Sequence, residues 1–519
     1  MFFNSTTAPL FKQCGIYEDF LSIGKYLSGI DMCTEDRKVA FKLGFAGHEE
    51  EFGAKGYIVT RPQLYDLLLR QIPAERVHMS KKVLTMEQGG NGVLLRFSDG
   101  TEAEGDILVG ADGAYSAVRQ NLYAKLKKER KLSATDALPL PFSTVCIVGE
   151  TRPITSEQFP DLGREESVFS RVMGADKMYS WDTFTTTHNT VCWGCVLYLD
   201  EKTSKDNDAF RNSEWGPEAA AAMCEQVKDF PIVSGGDKKL TLGDLFEWSD
   251  KDFISKVMLE EKVFKTWYSC RTVLIGDACH KMSPSGGAGA SNAMHDAIAL
   301  ANRINGLPFH PIADEIEAAF KEYQNERIEW VKAAFESSKM MRNMVGQSMS
   351  SKFTRTVIKR VPAWLMRKME SQQYCHRPQV AFLPPVEDKG TFRPSPQPSL
   401  TVKAPQEKTT AKSTESTANA SSKSESSSRK IVGGMWDQLC HRASVSTRTN
   451  QCSIVQWRDF GPMILLYNIY IVIFIQIPDY FLLVDRIFTG IELTSSSKMI
   501  QCQLSSLESR QYQFLQARF

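Results

Sequence analysis

The sequence predicts an α/β fold interrupted by a β-rich insertion, on three observations. Two short, nearly all-apolar runs, Asp106-Ile107-Leu108-Val109-Gly110 and Thr272-Val273-Leu274-Ile275-Gly276, read as buried parallel strands, each leading through a Gly-containing turn into a helix. Between them, residues 141–270 carry alternating strand patterns separated by turn residues. After the second run come two helical patterns, Ala288 to Ile304 and Ala313 to Met344, the second long and amphipathic.

The elements follow in order. Pro9 to Ile23 has helical spacing, with Leu10, Phe11, Ile16, Phe20 and Leu21 apolar. Pro62 to Ile72 is a second helix, its proline in the first turn, where the missing N–H costs nothing. Val83–Met86 and Val93–Phe97 read as strands, and Ser98-Asp99-Gly100 as a hairpin turn. In the insertion, Phe142–Val148, Ser167–Met173, Met178–Phe184 and Thr190–Leu199 read as an antiparallel sheet, followed by helices over Pro217–Val227 and Leu242–Trp248. The expected organisation is therefore 1–140, first part of the α/β domain; 141–270, the β-rich domain; and 271–385, second part with the long helix. Residues 386–435 turn to Pro, Ser, Thr and Lys and are expected to be a disordered linker, being too poor in apolar residues to bury a core. The tail, 436–519, holds an apolar run that makes 462–484 a candidate membrane segment, although a span needs about 20 apolar residues and Asn468 and Gln476 interrupt it.

Composition narrows the function. A net charge of +1 over 519 residues, with no long basic block, argues against a nucleic-acid partner. The 12 cysteines are scattered except for Cys192-Trp193-Gly194-Cys195, and no secretory signal precedes them, so a disulfide framework is not expected. That lone CxxC lacks the second pair a zinc site needs and reads as two cysteines of one strand; no metal is expected.

Three segments carry chemistry. In Asp106 to Arg119, Gly110 and Gly113 permit a tight turn; Asp112 is placed to cap the next helix or to bond a sugar hydroxyl; Ser116 is a helix cap with Arg119 one turn on. In Val273 to Ala297, the strand ends at Gly276 and sets the Asp277 carboxylate at the carboxyl edge of the sheet, where ligands bind in open α/β folds. Pro284 stiffens the approach to Gly286-Gly287-Ala288-Gly289-Ala290, a loop whose backbone N–H groups open a helix and suit an anion or polar oxygens. In Tyr57 to Leu68, Arg61 stands at a helix start, free for a phosphate or a ring edge, or simply a surface arginine. His280 and His295 are acid/base candidates, with packing in the loop and on the helix face as the other reading.

These segments, in this order, resemble the FAD-dependent monooxygenases of the para-hydroxybenzoate hydroxylase group, and within it the fungal PaxM-like branch, over about residues 8–385. The resemblance implies a Rossmann-like FAD-binding domain with an inserted antiparallel substrate domain. It implies FAD as cofactor, with Asp112, Gly113 and Arg119 contacting FAD and NAD(P)H, and Gly276, Asp277 and the loop through Gly286, Gly287, Gly289 and Ala290 holding the ribityl chain and ring. Arg61 would also touch FAD, and Pro284 would lie beside the isoalloxazine. NAD(P)H would be co-substrate and O2 the oxidant, hydroxylating or epoxidising a hydrophobic molecule through a C4a-hydroperoxyflavin. The expected setting is secondary metabolism, in the cytoplasm or on the cytosolic side of a membrane. One departure stands out: the strand–GxGxxG–helix unit of that group is absent, Gly24-Lys25-Tyr26-Leu27-Ser28-Gly29 having neither the strand nor the spacing. The expectation is an N-terminally truncated member. A flavin oxidoreductase that inserts no oxygen, or a non-catalytic relative unable to hold FAD, are the alternatives.

Overall fold

The computed structural model describes residues 1–403, apart from 176–177, 200–216, 234–237, 346–361, 363–367 and 369–370, together with 471–475. The helix expected over Pro9–Ile23 is two helices, α1 (Ala8–Gln13) and α2 (Tyr17–Ile23), because Gly15 takes a left-handed φ of 71° between them. Next come α3 (His48–Phe52) and α4 (Arg61–Leu69), the latter opened by a capping box between Thr60 and Gln63.

Two larger strand layers organise the rest. The first is a seven-stranded sheet. It contains β1 (Gly29–Thr34), β2 (Val39–Gly44), β7 (Phe142–Glu150), β8 (Phe169–Met173), β9 (Tyr179–Thr185), β10 (Val191–Tyr198) and β11 (Ser255–Glu260), in the order β11-β7-β10-β9-β8-β1-β2. It is antiparallel except where β8 pairs with β1 in parallel, so it draws two strands from the first part of the chain that sequence patterning did not pick out. One face packs against α6 (Pro217–Val227) and α7 (Leu242–Trp248) around Trp181, Trp193 and Phe230. Cys195 points into this core, whereas Cys192, three residues away on β10, lies on the opposite face.

The second layer carries the site. A hairpin unit, β3 (Val83–Gln88), β4 (Val93–Phe97) and β5 (Glu102–Gly105), leads into β6 (Ile107–Ala111), which pairs in parallel with β12 (Thr272–Leu274). The helices α5 (Ala117–Lys128), α8 (Gly289–Asn305) and α9 (Ala313–Val345) pack against this pair, with Leu108, Val109, Leu122, Val273, Leu300 and Phe320 all buried. Gly110 allows the approach: a Cβ there would lie 2.8 Å from Leu274 and 2.9 Å from Val118.

The tail differs from expectation in two places. Residues 386–403, expected as linker, are packed: Arg377 is paired with Asp388, the backbone at Gly390 lies against Phe52, and Ser399 is buried against Glu326. Within 462–484, the described residues are β13 (Ile471–Ile475), which pairs antiparallel with the other edge of β6. No helix among the described residues is long and apolar enough to cross a membrane. The remainder of 386–519 lies outside the described residues.

Candidate cofactor site

Two strand–turn–helix units, β6 to α5 and β12 to α8, run side by side, with the Ile275 N–H donating to the Gly110 carbonyl at 3.0 Å. Arg119 joins their turns. Its guanidinium is buried, donates to the Ala278 carbonyl at 2.8 Å and to the Ala114 carbonyl at 2.5 Å, and lies over the Phe264 ring at 4.4 Å. Desolvation pulls its pKa down, yet it is bound by carbonyls on both sides and acts as a clamp.

Asp112 is turned into its own helix. One oxygen accepts from the Ser116 hydroxyl at 2.5 Å and the other from the Val118 N–H at 3.0 Å, while Ser116 caps α5 by accepting from the Arg119 N–H at 2.8 Å. Burial pushes the Asp112 carboxyl upward despite these bonds. Gly113 has φ 80° with open space where a side chain would stand.

The second turn is built differently. Gly276 is buried at φ 59°, and its N–H donates to Asp296 Oδ2 at 3.0 Å. Asp277 is buried and takes the Lys281 ammonium at 2.5 Å. Pro284 is exposed and starts a short turn that ends at Gly287, φ 63°. Gly286 packs on α9: a Cβ there would come within 2.4 Å of Ser338 Oγ. Helix α8 then begins at Gly289 with no side-chain cap and no acidic residue in its first turn. Its leading N–H groups therefore have no side-chain acceptor from the N-cap residue. Arg61 is exposed at the start of α4.

Beneath this elbow lies a polar network that sequence reasoning did not assemble. Asp296 also accepts from His280 Nε2 at 2.5 Å and from Arg327 Nε at 2.8 Å. Arg327 continues to His376 Nε2 and to Asn292 Oδ1, both at 2.8 Å. His376 stacks on Trp330 and meets the edge of His295, which bonds the Thr6 carbonyl at 3.0 Å. One signal was available: Ile316, Phe320, Tyr323, Arg327 and Val331 share the buried stripe of α9, and an arginine on such a stripe needs a buried partner. Burial and the neighbouring cation hold His295 down at about 3 and His376 well below its ordinary range, so both are neutral. Asp296 is held down at about 2 by His280 and Arg327, against its own desolvation. Cys279, His280 and Asp296 bring three donor atoms within 4.8 Å of one another, but burial keeps the thiol protonated and Arg327 already answers the carboxylate.

The elbow fits the flavin end of FAD. An uncapped 17-residue helix starts there, and Gly287 turns the chain at a positive φ, with Phe2 Cβ 4.0 Å from where its own Cβ would stand. The β6 turn offers less, since both Asp112 oxygens are engaged.

Comparisons with known proteins point to the same cofactor. Residues 247–338 match the family model described as FAD binding domain. The FAD-dependent monooxygenase ausM of Penicillium brasilianum is 28% identical over 340 residues, 64% of this chain and 67% of that protein. The FAD-dependent monooxygenase paxM of Penicillium paxilli is 28% identical over 305 residues, 56% of this chain and 59% of that protein. The chain thus spans about two thirds of the length of the first of these relatives and less of the second. Among solved structures, Klebsiella pneumoniae HpxO complexed with FAD and uric acid superposes at a TM-score of 0.56 and 16% identity, over 73% of this chain and 88% of that one. A salicylate hydroxylase substrate complex gives 0.52 and 18%, over 72% and 87%. These two show the fold. The chain thus carries an FAD binding domain segment and is similar in sequence to fungal FAD-dependent monooxygenases.

Proposed function

We propose that this chain is an FAD-dependent monooxygenase that uses NAD(P)H and O2 to hydroxylate or epoxidise a hydrophobic organic molecule. The observation that carries the reading is the elbow itself: the uncapped start of α8, preceded by the buried Asp277 and the positive-φ Gly287. FAD, when bound, supplies the redox chemistry of such a reaction. The chain's own residues would do the rest. The N–H groups of Gly289 and Ala290 would hold polar oxygens of the cofactor, Asp277 would accept from ribityl hydroxyls with Lys281 balancing its charge, and Arg61, Asp112, Gly113 and Arg119 would shape the neighbouring wall. The inner face of the seven-stranded sheet, where Met32 and Met173 pack with Ile30, Phe41, Leu43 and Met341, would supply the apolar side of the substrate space.

The test is a titration of the full chain with FAD, followed by NAD(P)H addition. The expected results are flavin absorbance that co-purifies or saturates, O2 uptake, and a product one oxygen heavier. Reduction without oxygen insertion would replace this reading with a flavin oxidoreductase. A second reading, a relative that does not hold FAD, is favoured by one observation: Asp112 gives both oxygens to α5. Protein that stays colourless in excess FAD would establish it.

A further inference from the structure

The reaction needs an elbow held in one geometry, and the structure contains a device for this outside the residues that face the cofactor space. Asp296 is wholly buried in the middle of α8, and Arg327, wholly buried in the middle of α9, is its counter-charge. Asp296 uses Oδ2 for the Gly276 N–H and for His280, which bracket Asp277, Ala278 and Cys279. It uses Oδ1 for Arg327. Arg327 spends its remaining donors on Asn292, one turn before Asp296 on α8, and on His376, in the segment that follows α9. A buried carboxylate with three such bonds has one orientation, and so has a guanidinium bonded along three directions.

We propose that Asp296, oriented by Arg327, is the positioning residue of the elbow: it fixes the Gly276 N–H, and through it sets where the Asp277 carboxylate stands relative to the open end of α8. The inference rests on the flavin reading above and assigns the affinity of that site to residues that do not touch the cofactor. The charge balance supports it: the Asp296 carboxylate and the Arg327 guanidinium cancel, so the buried pair needs no counter-ion. Gly276 contributes the other half: its φ of 59° is a left-handed conformation that glycine adopts without the penalty a Cβ would bring, and the bond to Asp296 selects it.

The experiment uses the full chain and three variants, read by FAD affinity and by amide hydrogen exchange of the FAD-free protein. Asp296→Asn removes the charge; Arg327→Lys keeps the charge but loses the fork; Ile298→Val thins the same helix without touching the network. Expected for Arg327→Lys and Asp296→Asn are an FAD dissociation constant raised about tenfold or more, and exchange at Gly276–Ala278 faster by a similar factor. Ile298→Val is expected to lower the melting temperature with neither change. Should Asp296→Asn fail to fold, Arg327→Lys decides. If affinity merely follows melting temperature across all three variants, or if the two network variants bind FAD like the parent, the positioning role is wrong while the flavin reading stands. A parent chain that binds no FAD overturns both.

Discussion

The two turns leaving the parallel strand pair have the same topology and opposite endings. At the end of β6 the helix is closed: Ser116 caps α5 and Asp112 secures Ser116 and Val118. At the end of β12 the helix is open, and the acidic residue that steadies the turn, Asp296, comes from inside α8 rather than from its mouth. A capped helix has spent its N-terminal donors, whereas an uncapped one supported from beneath keeps them for a ligand. On the proposed function, two neighbouring units thereby divide the labour, the first stabilising the fold and the second offering backbone donors to the cofactor.

The largest effect should come from removing the support of the open unit. Arg327→Ala leaves Asp296 as a buried carboxylate without its cation, and breaking such a pair costs about 3–5 kcal/mol. Urea unfolding should show that loss. A loss below about 1 kcal/mol, the scale of an exposed ion pair, would mean that the elbow is not held from below.

Acid should separate the two units next. His295 and His376 are folded as neutral rings with depressed pKa values, so the unfolded chain binds more protons as the pH falls below the ordinary histidine value of 6.5. Their contribution is whole above that value and declines as the pH drops toward the folded values. Each costs up to about 1.4 kcal/mol per pH unit, roughly 2–3 kcal/mol together between pH 7 and 5.5. Asp296 plays no part in that window, since its stabilisation is present above the ordinary aspartate value of 3.8 and is lost only as the pH falls through about 2. Asp112 has the opposite sign, its carboxyl being raised by burial, so acid favours the closed turn. The measurement is the stability-versus-pH curve of the parent beside His376→Gln, which should be flatter below pH 6.5.

Much of this division was legible in the sequence, and the illegible part has physical causes. The two apolar strands, the turns at Gly110 and Gly276, and the helices after them are local patterns of period and punctuation. Strands β1 and β2 were not, because Gly29–Thr34 alternates weakly and acquires its place from a parallel pairing with β8, far along the chain. The packing of residues 386–403 was hidden for a related reason. It is held by polar side chains, Gln379, Gln397 and Ser399 among them, and not by an apolar stripe that periodicity could reveal. In the site, Asp277 and the glycine loop announced themselves by spacing. The Asp296–Arg327 pair did not, since its members lie on separate helices and meet only through the packing of α8 on α9.

A cap deletion sharpens the contrast at lower energy. Ser116→Ala removes the side-chain acceptor for the Arg119 N–H and should cost about 1–2 kcal/mol, read from thermal unfolding. Because α5 also carries the Arg119 clamp, the elbow should loosen slightly, and FAD affinity should fall by less than the network variants produce.

The smallest change asks the most of the comparison. Ala288 occupies the N-cap of α8 and offers its helix nothing but a methyl group. Ala288→Asp would give the open unit what the closed unit has, a carboxylate within reach of the first-turn N–H groups and favourably placed against the helix dipole. On stability alone the substitution should help, by about 0.5–1 kcal/mol in the FAD-free chain. On cofactor binding it should hurt, because the new carboxylate competes for the donors that the elbow keeps free and repels an electron-rich ligand. A variant that melts higher yet binds FAD more weakly is the expected outcome, and it is one that a purely structural elbow would not give. If stability and affinity instead rise together, the open end of α8 is not where the cofactor's polar atoms sit.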